Sequence, residues 1–196
     1  KGRIVYIQNK NLLLFLFFTI VLVFIVFDRQ LRGYLKARNL VLKDSVVVTD
    51  SELLLLFEKC KAQVGVKQKV SLHKWDQKAS PFTMGIFKPC IVVTEYPLTH
   101  QDYEMIFLHE LYHIKNHDVF KKILVLITMA INWYNPIVYF LRNEMNLVFE
   151  LICDESLLKD KDMKFCRRYG SFIIDMATEN FEQSPNLSAA MSKPGK

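Results

Sequence analysis

The sequence predicts an α+β domain: a small mixed sheet with an H-E-x-x-H helix, joined to an N-terminal transmembrane helix and a membrane-associated helical hairpin. Three observations predict it. Leu12 to Phe27 reads LLLFLFFTIVLVFIVF, with no charge. Residues 45–93 alternate short strand-type runs with one helix-type run. His109-Glu110-Leu111-Tyr112-His113 lies in a stretch of helical spacing, and a second apolar segment, Ile123 to Leu141, follows it with a break in the middle.

Composition narrows the classes. The 196 residues are 51% hydrophobic, with 15 Phe, many of them near the start. That length fits one domain with an appendage. Net charge is +6 and the pI about 9.1, but the cations are scattered and accompany apolar runs. An anionic membrane surface is the partner this pattern favours, and nucleic acid is not expected. Cys60, Cys90, Cys153 and Cys166 form no C-x-x-C pair and read as reduced thiols facing a cytosol. The chain starts at Lys1 and ends in Ser192-Lys193-Pro194-Gly195-Lys196, so it reads as a piece of a longer protein. The expected division is a flank and transmembrane helix over 1–30, a peptidase-type domain over 31–183, and a loose tail over 184–196.

Along the chain, Leu12 to Phe27 spans about 24 Å as helix, slightly short of a hydrocarbon core of about 30 Å. Lys10 and Arg29 can snorkel to bridge the difference. No small-residue cleavage site follows, which argues against a signal peptide. The basic residues Arg29, Arg32, Lys36, Arg38 and Lys43 favour a cytoplasmic C-terminal side. Ser45 to Val48 reads as a strand. Thr49 and Glu52 form a capping box for a helix whose apolar face is Leu53, Leu54, Phe57, Cys60 and Val64, closed by Gly65. Val70 to Trp75 alternates as a half-buried strand, and Ser80 to Gly85 reads as a turn. Ile86 to Val93 reads as a strand with Pro89 inside it, which places it at an edge or a bulge. An open edge can take an extended peptide as an added strand.

Thr99 and Asp102 form a capping box for the next helix, and no Pro or Gly interrupts from His100 to Asn135. On that helix His109 and His113 share a face one turn apart, which brings two imidazoles to one zinc ion. Glu110 then reaches a metal-bound water and serves as base for peptide hydrolysis. His117 continues the row, but lies about 12 Å from His109, too far to share an ion. It reads as a surface or membrane-interface histidine. His73 and His100 read as lone structural histidines. Asn132-Trp133-Tyr134-Asn135-Pro136 breaks the second apolar segment. A single crossing there would put the acidic residues that follow on the wrong side of the bilayer. The segment therefore reads as a hairpin over about 119–150 that enters the membrane and returns.

A catalytic zinc needs a third protein ligand and an open position. The returning arm offers Glu150, with Glu144 and Glu155 as rivals. Glu150 and Asp154 share a helical face, so Glu150 can face the ion while Asp154 orients a histidine. Asp118 either orients a histidine or ends the helix. Cys153 beside the site reads as a small buried residue rather than a ligand. Asp162 to Asn180 is a last amphipathic helix with Phe165, Tyr169, Phe172, Ile173 and Met176 on one side. No residue is identifiable as the oxyanion stabiliser.

Taken together, H-E-L-x-H with Asp118 five positions on, Asn135-Pro136, and E-x-x-C-D over 150–154 resemble the BlaR/MecR family of antirepressor membrane metallopeptidases. Ser80-Pro81-Phe82-Thr83-Met84-Gly85-Ile86-Phe87-Lys88-Pro89 resembles the same family's stretch ahead of its zinc helix. The resemblance covers 41–175. It implies a gluzincin-like fold of the minigluzincin kind, a Zn2+ ion held by His109, His113 and Glu150, and Glu110 as catalytic base. It also implies a bacterial cell membrane, a catalytic domain facing the cytoplasm, and cleavage of a protein substrate, either a transcriptional repressor or the chain itself. Two other readings are weighed against this one. A non-catalytic signalling scaffold would not need Glu110. A quality-control protease of the HtpX type would need more room between positions 113 and 150.

Overall fold

The computed structural model describes residues 2–77, 79–94 and 98–182. The tail expected over 184–196 lies outside them. The described residues divide into two compact units, one drawn from 2–40 and 120–147 and the other from 41–119 and 148–182.

The first unit is helical. α1 (Gly2–Asp44) is one continuous helix, far longer than the apolar run that predicts it. It leaves apolar side chains uncovered: Phe18 is 74% exposed and Phe24 69%. Its stretch Lys10–Asp44 is long and apolar enough to cross a membrane. α4 (Asp118–Ile131) and α5 (Ile137–Leu158) are two helices joined through residues 132–136, over the segment expected to form a hairpin. Pro136 lacks an N–H and disfavours helix at the residue before it, which forces the break. The turn satisfies much of its own polarity. Asn132 Nδ2 donates to Thr128 O at 2.9 Å, Ile137 N to Asn135 Oδ1 at 3.0 Å, and Tyr139 OH to Trp133 O at 3.0 Å.

The second unit holds a mixed sheet of β1 (Ser45–Val47), β2 (Ser71–Trp75), β3 (Phe82–Met84) and β4 (Cys90–Thr94). The order is β1-β2-β4-β3, with β2 and β4 parallel and the outer pairs antiparallel. All of β4 is buried, as a strand covered on both faces must be. Its side chains alternate: Ile91 and Val93 join the main core, whereas Cys90 and Val92 join Val41 and Met84. The main core packs α2 (Ser51–Val64) on α3 (His100–Lys115), with the Phe57 and Phe107 rings edge to face at 5.3 Å.

Several expectations need correction. The strand read over 86–93 begins only at Cys90, and it is central rather than at the edge. Pro89 precedes the ladder and uses its carbonyl alone, accepting from Ser71 N at 3.2 Å. The segment read as a turn contains β3, and β3 is the edge strand. Gly85, at φ 89°, reverses the chain after it; a Cβ there would lie 2.5 Å from Lys88 O. The cap of α2 is Asp50, not Thr49: its side chain accepts from Glu52 N and Leu53 N. The expected capping box at Thr99 and Asp102 is present. α3 ends at Lys115, and His117 takes a left-handed φ of 56°, so it never joins the row of 109 and 113. α6 (Met163–Glu182) replaces the expected 162–180, with Asp162 Oδ1 accepting from Phe165 N at 2.9 Å. Ile173, expected on its packed side, is exposed.

Candidate metal centre

Two helices bring the donors together in the second unit. The Thr99–Asp102 box fixes the start of α3, so His109 and His113 leave its third and fourth turns on one side. α5 brings Glu150 against both. His109 Nε2 and His113 Nε2 are 3.0 Å apart, and Glu150 Oε2 lies 3.4 Å from the first and 3.3 Å from the second. Donors held at about 2.0–2.1 Å by a tetrahedral ion lie roughly 3.3 Å from one another. Glu144 and Glu155, the rivals, are exposed and absent from this cluster among the described residues.

Each histidine is held from behind. His113 Nδ1 lies 2.8 Å from Asp118 Oδ2, and His109 Nδ1 lies 3.1 Å from Asp154 Oδ1. A carboxylate only accepts, so both Nδ1 atoms are assigned a proton, and with an ion bound both Nε2 atoms would present lone pairs. Two lone pairs and a carboxylate oxygen would then face one point. A cation at that point, or a proton on an Nε2 shared with Glu150, satisfies the arrangement, and two imidazoles with one carboxylate are a donor set that fits zinc.

The electrostatics agree. Burial pulls the His109 imidazole down, but hydrogen bonds to Asp154 and Glu150 and the charge of Glu110 outweigh it and hold its pKa at about 10. His113 behaves alike: burial opposes its charge, while Glu150, Glu110 and Asp118 raise its pKa. Hydrogen bonds from the two histidines hold Glu150 well below the ordinary carboxylate range. The site draws positive charge toward its centre.

Glu110 is 6% exposed, and burial pushes its pKa up against the pull of both histidines. Thr83 Oγ1, on edge strand β3, donates to Glu110 Oε2 at 2.7 Å. Cys153 is fully buried; its Sγ lies 3.1 Å from His113 Nδ1, on the side of the ring away from Nε2. Burial and the neighbouring Asp118 push its thiol well up, so it stays protonated. His100 and His117 are exposed, and His73 pairs with Ser45 across β1 and β2, with Nδ1 and Oγ 3.2 Å apart.

Sequence reading missed two contributors. Thr83 was assigned to a turn, and nothing in its neighbours pointed at Glu110. Tyr169 was assigned to the apolar face of the last helix, yet its hydroxyl lies 2.6 Å from Asp154 Oδ1 and 2.9 Å from His109 Nδ1.

Comparison with known proteins gives the family. The model of a family described as BlaR1 peptidase M56 matches residues 4–195. The chain belongs to the BlaR1 peptidase M56 family. It is 31% identical over 150 residues to the Regulatory protein BlaR1 of Bacillus licheniformis, a match that covers 76% of this chain and 25% of that protein. It is 28% identical over 126 residues to the Methicillin resistance mecR1 protein of Staphylococcus aureus, covering 63% of this chain and 22% of that one. The mecR1 protein of Staphylococcus epidermidis matches to the same extent. The chain thus spans about a quarter of the length of these relatives. The BlaR1 peptidase M56 match gives the chain a metallopeptidase-type domain, and the apolar α1 points with it to a membrane.

Proposed function

We propose that this protein is a membrane-anchored zinc endopeptidase of regulatory proteolysis, cutting itself or a cytoplasmic regulator such as a transcriptional repressor. The observation that carries this reading is the convergence of His109, His113 and Glu150, each donor within 3.4 Å of the others, with a buried carboxylate at Glu110 next in the chain.

His109, His113 and Glu150 would hold the ion. When bound, zinc supplies a Lewis acid that polarises a carbonyl and acidifies water. Glu110 takes the proton of the attacking water and passes it to the leaving amine. Thr83 keeps one oxygen of Glu110 engaged, which fixes the carboxylate's plane and leaves the other oxygen for the proton. Asp118 and Asp154 keep the histidines neutral at Nε2 and correctly turned. The outer edge of β3 offers main-chain groups to an extended substrate beside Glu110.

The membrane part of the reading rests on the first unit. α1 crosses the bilayer, with the second unit on the cytoplasmic side. The hairpin of α4 and α5 dips into the same bilayer without leaving on the far side. Its self-satisfied turn suits a medium that offers no hydrogen bonds. Phe15, Phe24, Ile131 and Trp133 line one apolar groove, which sets the tip of the hairpin beside the apolar run of α1.

The test is Glu110→Gln in the full chain in detergent micelles. Wild type should cleave itself or a candidate repressor in a chelator-sensitive way. The variant should retain zinc and lose cleavage by about a hundredfold or more. Full cleavage by the variant would remove Glu110 as the base, and absence of any chelator-sensitive cleavage by wild type would favour a scaffold.

A further inference from the structure

α6 grips the H-E-x-x-H helix with two consecutive residues. Arg168 Nη2 donates to Thr99 Oγ1 at 3.0 Å and to Asp102 Oδ1 at 2.9 Å, so it binds the capping box of α3. Tyr169, 4% exposed, inserts its ring into the main core and carries its hydroxyl to the back of His109. There the hydroxyl donates to Asp154 Oδ1 at 2.6 Å and sits 2.9 Å from His109 Nδ1. With its own proton spent on Asp154, the phenol oxygen is an acceptor for the His109 N–H.

His113 and His109 therefore differ in their support. His113 is held by Asp118, which lies close by in the chain, where α4 begins. His109 is held by Asp154 from α5 and by Tyr169 from α6, which is distant in the chain. The orientation of one donor thus depends on whether α6 is seated. Resting on the zinc reading above, we infer that Tyr169 is a positioning residue for His109, and that seating of α6 through Arg168 and Tyr169 sets the affinity of the metal site. A signal that shifted α6 would release His109 without touching a ligand.

The test is zinc binding by the full chain in micelles, measured by competition with a chromophoric chelator, with the visible spectrum of the Co2+ form as a second readout. Loss of an outer partner of a ligand histidine lowers metal affinity by about 10–100-fold. Tyr169→Phe should fall in that range, and its Co2+ bands should shift. The melting temperature of its metal-free form should stay near that of wild type, because the ring remains in the core. Arg168→Gln should weaken zinc less, in the same direction. If Tyr169→Phe binds zinc within twofold of wild type and leaves the Co2+ bands in place, the inference is overturned. Should Tyr169→Phe fail to fold, Arg168→Gln decides: unchanged zinc affinity overturns the inference. A wild-type chain that binds no zinc refutes the metal reading instead, so the two failures are distinguishable.

Discussion

His113 Nδ1 and Asp118 Oδ2 lie 2.8 Å apart, both buried, across the break between α3 and α4. The break makes the pairing possible. Had the helix continued through residue 118, a separation of five residues would have turned Asp118 off the face of His113. The left-handed His117, at φ 56°, ends α3 and swings Asp118 back under the ring. Histidine enters that region more readily than most side chains, which is why no glycine marks the site.

Asp118→Asn removes the charge that fixes the His113 tautomer. Zinc affinity should drop by about 10–100-fold, read by chelator competition. An affinity within twofold of wild type would mean that Asp118 only ends a helix.

The capping box gives a pH-dependent prediction. Burial raises the pKa of Asp102, but hydrogen bonds from Thr99 and Arg168 outweigh it and hold the net value below the ordinary one. A depressed carboxylate contributes stability above its unfolded pKa and loses it as pH falls through the folded value. Asp102→Asn should therefore cost about 1 kcal/mol at pH 7. The difference should shrink as pH falls below the unfolded aspartate value of about 3.9 and on through the lower folded one. Urea unfolding of variant and wild type over that pH range measures it; a pH-independent difference would contradict the assignment.

How much of this was readable in advance varies with range. The H-E-x-x-H spacing, the Thr99–Asp102 box, the apolar run and the Asn135-Pro136 break are local, and each depends on residues within one or two turns. Tyr169 and Thr83 are not local. Tyr169 reads as one more apolar residue at helical spacing until α6 is laid against α3, and only then does its hydroxyl acquire a role. The central place of β4 was misread because Pro89 was counted inside the strand; its missing N–H falls just before the ladder starts. The shift of the α2 cap from Thr49 to Asp50 is a choice between adjacent capping residues, of which Asp is the stronger.

Gly85 should be irreplaceable for the edge strand. Its φ of 89° and the 2.5 Å approach to Lys88 O leave no room for a Cβ. Gly85→Ala should cost about 1–3 kcal/mol. Thermal unfolding checks this, and a variant as stable as wild type would show that the turn can relax.

The hairpin tip can be probed by its own fluorescence. The two tryptophans are Trp75 and Trp133. Trp75 buries an indole N–H with no partner among the described residues, so Trp75→Phe sacrifices no hydrogen bond. In that variant, reconstituted in vesicles, Trp133 should be quenched by lipids brominated on the acyl chains and shielded from aqueous iodide. Quenching by iodide alone would place the tip in water.

The central claim is that two imidazoles and the Glu150 carboxylate share one ion. Zinc titration of wild type, Glu110→Gln and Glu150→Ala in micelles tests it directly. One equivalent should bind tightly to wild type and to Glu110→Gln, while Glu150→Ala should lose more than the roughly hundredfold that an outer partner costs. Equal affinity in Glu150→Ala and wild type would contradict the account.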